Sequence, residues 1–169
     1  MRIAVPAETQ GAETRVAATP ETVRKFIGLG AEVVVETGAG LASGIGDADY
    51  QAAGATIASS AAEALAGASI VLKVRRPSEA ETAALPAGAL VFGVMDPYGN
   101  EAAVEALGRA NVAAFAMEFM PRITRAQVMD VLSSQANIAG YRAVIDGASE
   151  YGRAMPMMMT AAGTVPAAR

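Results

Sequence analysis

From its first residues the chain alternates between short apolar runs and amphipathic stretches. Arg2–Val5 reads as a strand, followed by a polar stretch through Gly11. Thr19-Pro20-Glu21 then offers a capping hydroxyl, a proline at the first helical position and an acid in the first turn, each favoured at a helix start. Val23, Phe26 and Ile27 fall at i, i+3 and i+4, one apolar helical face, and Gly28 and Gly30 end it. The three consecutive valines of Glu32–Glu36 suit a strand covered on both faces of a parallel sheet. The cycle then repeats. Short helices are predicted over 48–53 and 61–66, a strand over Ile70–Val74, and a helix over 78–84 behind Pro77. A strand at Ala89–Val94, a helix at Glu101–Arg109 and a strand at Val112–Ala116 complete the series. Strands separated by helices of this length imply βαβ units. The expected fold over residues 1–124 is α/β: Rossmann-like (flavodoxin-like), with a mainly parallel sheet and helices on both faces.

The pattern changes after Pro121. No proline occurs from Arg125 to Met155, and Val131, Ile138 and Ile145 recur every seven residues. This predicts one helix of roughly 25 residues, or ~37 Å at the standard rise. It is too long for another crossover in a small sheet and reads as an interdomain spine. Beyond it, Met155-Pro156-Met157-Met158-Met159 and the stretch to Arg169 form an apolar, proline-punctuated tail without an evident partner. Residues 125–169 are therefore expected to lead to a missing dinucleotide-binding domain, and the stripe and tail to pair two copies as a homodimer.

Composition narrows the chemistry. Hydrophobic residues make up 53% and charged ones 18%, enough apolar material for a core and unlike a disordered chain. Alanine fills 40 of 169 positions and aromatics only 5%, which favours closely packed helices. A net charge of −4 speaks against a nucleic-acid partner. With no Cys and no His, disulfides, Cys/His zinc sites, Ser-His-Asp or Cys-His nucleophiles and histidine proton carriers are excluded. No run approaches the ~18 apolar residues of a membrane span, and the opening Met1–Pro6 is too short for a signal segment. A cytoplasmic domain without direct membrane insertion is expected.

Several clusters could bind or position a ligand. The stretch Gly38-Ala39-Gly40-Leu41-Ala42-Ser43-Gly44-Ile45-Gly46 follows the valine strand, as a pyrophosphate cradle does. Its spacing is wrong, however, and Asp47 and Asp49 put negative charge where a phosphate would sit, so a loop using left-handed glycines is the better reading. Arg15 lies after the first strand, Lys73 interrupts a buried one, and Asp96 follows Ala89–Val94. All three fall towards the strands' carboxyl edge, where α/β proteins bind ligands. A lysine within a buried strand needs a cleft or an anion. Where the long helix begins, Arg122, Gln127, Asp130, Ser133, Ser134, Gln135 and Asn137 collect, and Ser133, Asn137 and Tyr141 are successive i, i+4 neighbours. Amides and hydroxyls that do not titrate suit the positioning of a polar ring or ribose. Helix capping with an exposed polar surface accounts for the same cluster.

Beyond these readings, the runs Met120-Pro121-Arg122-Ile123-Thr124-Arg125-Ala126-Gln127, Met129-Asp130, Ser133-Ser134-Gln135 and Ala139-Gly140-Tyr141-Arg142 resemble one known family. It comprises alanine dehydrogenase and the proton-translocating nicotinamide nucleotide transhydrogenase, and the likeness is to its N-terminal domain, that of the transhydrogenase α subunit above all. The tail Pro156–Pro166 is similar too, as are Glu13-Thr14-Arg15-Val16-Ala17, Thr19-Pro20 and Leu72-Lys73-Val74. The resemblance implies NAD(H) held in a cleft between this domain and a following one. Hydride would pass to NADP(H) on an NADP-binding component, coupled to proton movement through a membrane component. It implies that Arg122, Gln127, Asp130, Ser133 and Tyr141 contact the cofactor, with Gln127 and Asp130 nearest the catalytic step, and a cytoplasmic location peripheral to the inner membrane. Departures are Val128 and Ala136, where the family often has serine, and Val94-Met95-Asp96, where alanine dehydrogenases carry a histidine. Two other readings stay open. One is an amino-acid dehydrogenase domain with Arg15 and Lys73 holding the substrate; the other is a non-catalytic interaction module.

Overall fold

In the computed structural model, which describes residues 1–168, the β-branched runs pair side by side. The elements of the first part are β1 (Arg2–Val5), α1 (Pro20–Gly28), β2 (Glu32–Glu36), α2 (Asp47–Ala52), β3 (Thr56–Ala58), α3 (Ala61–Leu65), β4 (Ile70–Arg75), α4 (Glu79–Ala84), β5 (Leu90–Val94), α5 (Glu101–Arg109) and β6 (Ala113–Ala116). The six strands form one sheet in the order β3-β2-β1-β4-β5-β6, every pair parallel. This is the 3-2-1-4-5-6 order of the Rossmann arrangement. The α/β expectation holds. β3 was not anticipated: with three residues and one β-branched pair, Thr56-Ile57, it carries too little pattern to read.

Alternation along the strands sorts the core into two layers. Ile3, Val5, Val33 and Val35 face α1 and α2, packing with Val23 and Tyr50. Ala4, Val71 and Val91 face the other way, against Leu65 of α3, Leu107 of α5 and Leu85 after α4. Thr19 caps α1 as its sequence predicts, accepting from the Thr22 N–H.

β4 does not run straight. Its register with β5 is Ile70↔Leu90, Val71↔Val91 and Leu72↔Phe92, then jumps to Arg75↔Val94. The extra residue makes a bulge at Lys73-Val74, and Gly93 lies beside it. A Cβ at Gly93 would stand 2.9 Å from the Lys73 carbonyl oxygen.

The chain divides between Pro121 and Arg122. The second unit opens with a 3₁₀ segment, Thr124–Met129, and continues as α6, Val131–Glu150. At 20 residues α6 is shorter than the predicted spine, about 30 Å long. The difference lies in Asp130, whose side chain accepts from the Ser133 N–H and starts a new helix there. The tail corrects a second expectation. Met158–Thr160 (β7) and Gly163–Val165 (β8) pair as an antiparallel hairpin, and the Ala168 N–H closes onto the Met155 carbonyl. The tail thus supplies its own backbone partners, although its methionines remain exposed.

Gly93→Ala tests the bulge. Because the blocking atom is backbone, the β4–β5 pair must shift, and unfolding free energy should fall by about 1–3 kcal/mol in urea titration. A change within error would mean that the two strands separate freely.

Candidate functional site

In an open α/β sheet the ligand crevice opens beyond the strand ends at the point where strand order reverses. Here that point lies between β1 and β4. The loops following these two strands enclose a depression of about 480 Å³ lined by Gln10, Gly11, Ala12, Glu13, Arg15 and Arg75.

Its floor is built from charge. The Lys73 side chain is 1% exposed. Its Nζ lies 2.5 Å from Glu81 Oε1 and 3.6 Å from Glu8 Oε2, and it donates to the Ala7 carbonyl at 3.4 Å. Glu8 in turn accepts from the Val74 N–H at 2.6 Å and the Arg75 N–H at 3.3 Å, the donors released by the bulge. Glu81 also accepts from the Ser78 N–H at 2.7 Å, closing the capping box that starts α4. Burial pushes the Glu81 carboxyl up, but the Lys73 ammonium and the Ser78 N–H outweigh it and hold the group below its ordinary value. The anion that Lys73 was expected to need is therefore supplied by the chain itself.

Glu13 organises the wall. One oxygen receives Arg15 Nε at 2.7 Å and the other Arg75 Nε at 3.0 Å. The hydrogen bond from Arg15 lowers its carboxyl from 4.5 to about 2 against the opposing effect of burial, and Arg75 assists. The same pairing raises Arg15 above its ordinary value. Gln10 Nε2 donates to the Arg76 carbonyl at 2.6 Å, tying the two loops together.

Asp96 sits at the same edge, past β5, with φ +45°. Its N–H donates to Glu118 at 2.5 Å. Its carbonyl takes Arg76 Nη1 and Asn100 Nδ2, each at 2.9 Å. A non-glycine residue in this conformation costs of order 1–3 kcal/mol and persists only where its surroundings over-determine it. Here three side chains do so, and the carboxylate itself is exposed.

The glycine stretch offers no phosphate cradle. Asp47 accepts from the Thr37 hydroxyl at 2.6 Å and the Gly38 N–H at 2.8 Å, so a carboxylate of the chain takes the donors an anion would need. Gly38 and Gly44 both adopt φ +75°, the left-handed loop expected from the residues.

In the second unit, Asp130 Oδ1 accepts from the Ser133 N–H at 3.0 Å and Oδ2 from the Ser133 hydroxyl at 2.6 Å. These contacts, led by the hydroxyl, lower the Asp130 carboxyl below its ordinary value, and Arg122 adds to the effect. Ser134 Oγ bonds the Asp130 carbonyl at 3.0 Å. Arg122 and Gln127 are exposed, and neither side chain makes a hydrogen bond among the described residues. Tyr141 is 71% exposed, two helical turns beyond Ser133. The loop thus fixes Asp130 and Ser133 on each other and leaves an amide, a guanidinium and a phenol open.

Sequence reasoning missed the roles of Glu8, Gln10, Arg75, Glu81 and Glu118. A signal existed for Glu81, because Ser78-x-x-Glu81 is a capping box. The pairing of Glu8 with the bulge had none, since a bulge leaves no mark on periodicity.

Against this geometry, residues 4–139 match the family model described as the alanine dehydrogenase/PNT N-terminal domain. The chain belongs to this family. It is 56% identical over its whole length to an NAD(P) transhydrogenase subunit alpha of Rhodospirillum rubrum, covering 45% of that protein. A crystal structure of transhydrogenase from Sinorhizobium meliloti superposes with a TM-score of 0.93 at 57% identity, over 99% of this chain and 50% of the other. An L-alanine dehydrogenase structure superposes at 0.81 with 32% identity, over 88% of this chain and 40% of the other. The chain spans about half the length of these relatives or less.

Glu13 supports a test by pH. A carboxyl lowered in the folded state stabilises fully above its unfolded value, and that contribution is lost as pH falls from about 4.5 through 2. Glu13→Gln should cost on the order of 1–2 kcal/mol at pH 7, discounted because Arg15 and Arg75 are 44% and 53% exposed. Thermal melts should show the gap between the two proteins closing below pH 4.5. A gap that stays constant down to pH 2 would remove Glu13 from the network.

Proposed function

We propose that this chain is the first domain of a transhydrogenase α subunit and forms one wall of its NAD(H) site. NADH supplies the hydride, and NADP⁺ on a partner component receives it, coupled to proton movement through a membrane component. The 56% identity to a transhydrogenase α subunit carries this reading. The geometry of the Arg122–Asp130 loop supports it. Arg122, Gln127, Asp130, Ser133 and Tyr141 would meet the nicotinamide and its ribose. A site for a neutral ring amide and sugar hydroxyls needs donors and acceptors that keep their state, and Gln127 and Tyr141 offer them. Asp130 is engaged as a helix cap, so its part is to hold the loop's shape and keep an ionised acceptor in place. The contribution to rate is orientation, which can be worth several kcal/mol without any residue exchanging a proton. No helix among the described residues is long and apolar enough to cross a membrane. Attachment to the cytoplasmic face would therefore run through the partner components.

The amino-acid dehydrogenase reading is less well supported. The Lys73 ammonium faces Glu81, Glu8 and the Ala7 carbonyl, which leaves it little capacity for a substrate carboxylate. Asp96 stands where those enzymes carry a histidine.

The decisive experiment restores the second domain, which would bring the phosphate-binding helix N-terminus, and measures hydride transfer from NADH to an NADP⁺ analogue. Gln127→Ala should slow transfer at least tenfold while changing the NADH dissociation constant less than threefold, as expected for an orienting contact. Equal losses in rate and affinity would assign Gln127 to uniform binding. The 169-residue chain alone should bind NADH weakly or not at all by calorimetry. A dissociation constant of tens of micromolar or tighter would place the main nucleotide contacts in this domain.

A homodimer completes the proposal. Ile138 and Ile145 of α6 are exposed, as are Met157, Met158 and Met159, and each large apolar side chain removed from water contributes about 1.5–3 kcal/mol. Light scattering should show a dimer that weakens when the residues after Arg153 are deleted. A monomer, or a dimer that survives the deletion, would place the interface elsewhere.

A further inference from the structure

A parallel sheet is ordinarily covered on both faces, and in this one the cover is uneven. On the face shared by Ile3, Val33 and Val5, helices α1 and α2 lie over the β3-β2-β1 half. Register carries that face across the sheet. Ile70 pairs with Leu90 and Leu72 with Phe92, and these pair with Ala113 and Phe115. Helices α3, α4 and α5 serve the opposite face, through Leu65, Leu85 and Leu107. No helix of the first unit covers Leu90, Phe92, Ala113 and Phe115. Ala113 and Phe115 are exposed, Phe115 at 46%. The Phe92 and Phe115 rings stack on each other at 4.5 Å instead of against a covering layer.

The sequence of β5 is written for two-sided burial. Leu90-Val91-Phe92-Gly93-Val94 has no polar position, whereas a strand with one wet face alternates. We propose that the β5–β6 face centred on Phe92 and Phe115 is the docking surface for an α-helix from the other half of the α-subunit polypeptide. The proposal rests on family membership and not on the nucleotide reading.

Three observations select this occupant. The open patch spans two strands, about 10 Å at the usual ~4.8 Å spacing, which is the width of one helix. Its area is on the order of a few hundred Å², far below the ~800 Å² per partner of a stable interface, so a second copy would not be held by it alone. A segment of the same polypeptide escapes most of the association cost. The relatives carry the length to provide it, since this chain accounts for 45% of one and 50% of another.

The chain has no cysteine, so Phe115→Cys provides a single reporter for a fluorescent maleimide. The 169-residue chain should label quickly. The same chain fused to the second half of the Rhodospirillum relative should label at least tenfold more slowly, while a Lys25→Cys control labels equally in both. Equal rates at position 115 would overturn the proposal. So would slow labelling of the short chain by itself, or labelling that slows only as the short chain is concentrated, which would indicate a second copy. Hydrogen exchange on the unsubstituted proteins guards against a folding defect in the variant. Amides of β6 should exchange at least tenfold more slowly in the fusion, with those of β3 at the opposite edge little changed. No difference at β6 would also overturn it.

Discussion

The Lys73 ammonium is the constraint from which the working edge of the sheet is built. It is almost wholly buried, and a buried charge persists only when its partners are placed with good geometry. Those partners come from two separate segments: Ala7 and Glu8 after β1, and Glu81 of α4. Satisfying one side chain therefore fixes the first loop and the helix that follows β4. Glu8 repeats the constraint from the other side by accepting the backbone N–H groups of Val74 and Arg75. The bulge that releases those donors is tolerated because Gly93 of β5 has no Cβ to meet the Lys73 carbonyl. Lysine, glutamate, bulge and glycine form one mutually dependent set at the reversal point of the sheet.

The carboxylates outward from this set do similar work. Glu13 fastens Arg15 and Arg75 together, Glu118 takes the N–H of Asp96, and Asp47 takes the donors of the glycine loop. Asp130 starts α6. Where their acidity shifts, it shifts downward: a cation does this for Glu13, a hydroxyl together with a backbone N–H for Asp47 and Asp130. Such acids stay ionised at neutral pH and move no protons. In a chain without histidine or cysteine, this leaves positioning as its contribution to chemistry. A hydride-transfer step, in which the cofactors carry the reacting atoms, asks for little else from the protein.

The strands were legible because valine-rich runs buried on two faces have few other ways to be satisfied, and α1 because Thr19-Pro20-Glu21 satisfies three capping preferences at once. β3 and the β7–β8 hairpin were not. Thr56–Ala58 is held by its partner β2, a tertiary fact. The hairpin turns through Ala161-Ala162, without the Asn-Gly or Asp-Gly that marks a two-residue turn. The site divides in the same way. Lys73 stood out because a charge inside an apolar run demands an explanation. Glu8 did not, because a glutamate in a polar loop is ordinary until the donors it serves are known. The heptad of Val131, Ile138 and Ile145 located α6, while the segment before Asp130 folded as a 3₁₀ turn because the carboxylate caps locally.

The two halves of the sheet show why a stable α/β unit can carry an unfinished face. The β1–β2 half encloses Val5, Val23, Val35 and Tyr50, all inaccessible to solvent, and supplies a complete core layer with α1 and α2. The β5–β6 half is anchored from beneath by Val91 and Leu107. Its upper surface costs the fold little as long as the exposed aromatics can cover each other. Stacking of Phe92 on Phe115 removes one face of each ring from water, and such pairs contribute about 0.5–1.5 kcal/mol beyond their burial. That is enough to keep the edge strand β6 in register but leaves Phe115 half in solvent. A face with these properties folds without its cover and still gains when one arrives. Docking of a helix there can follow folding of the sheet and need not precede it.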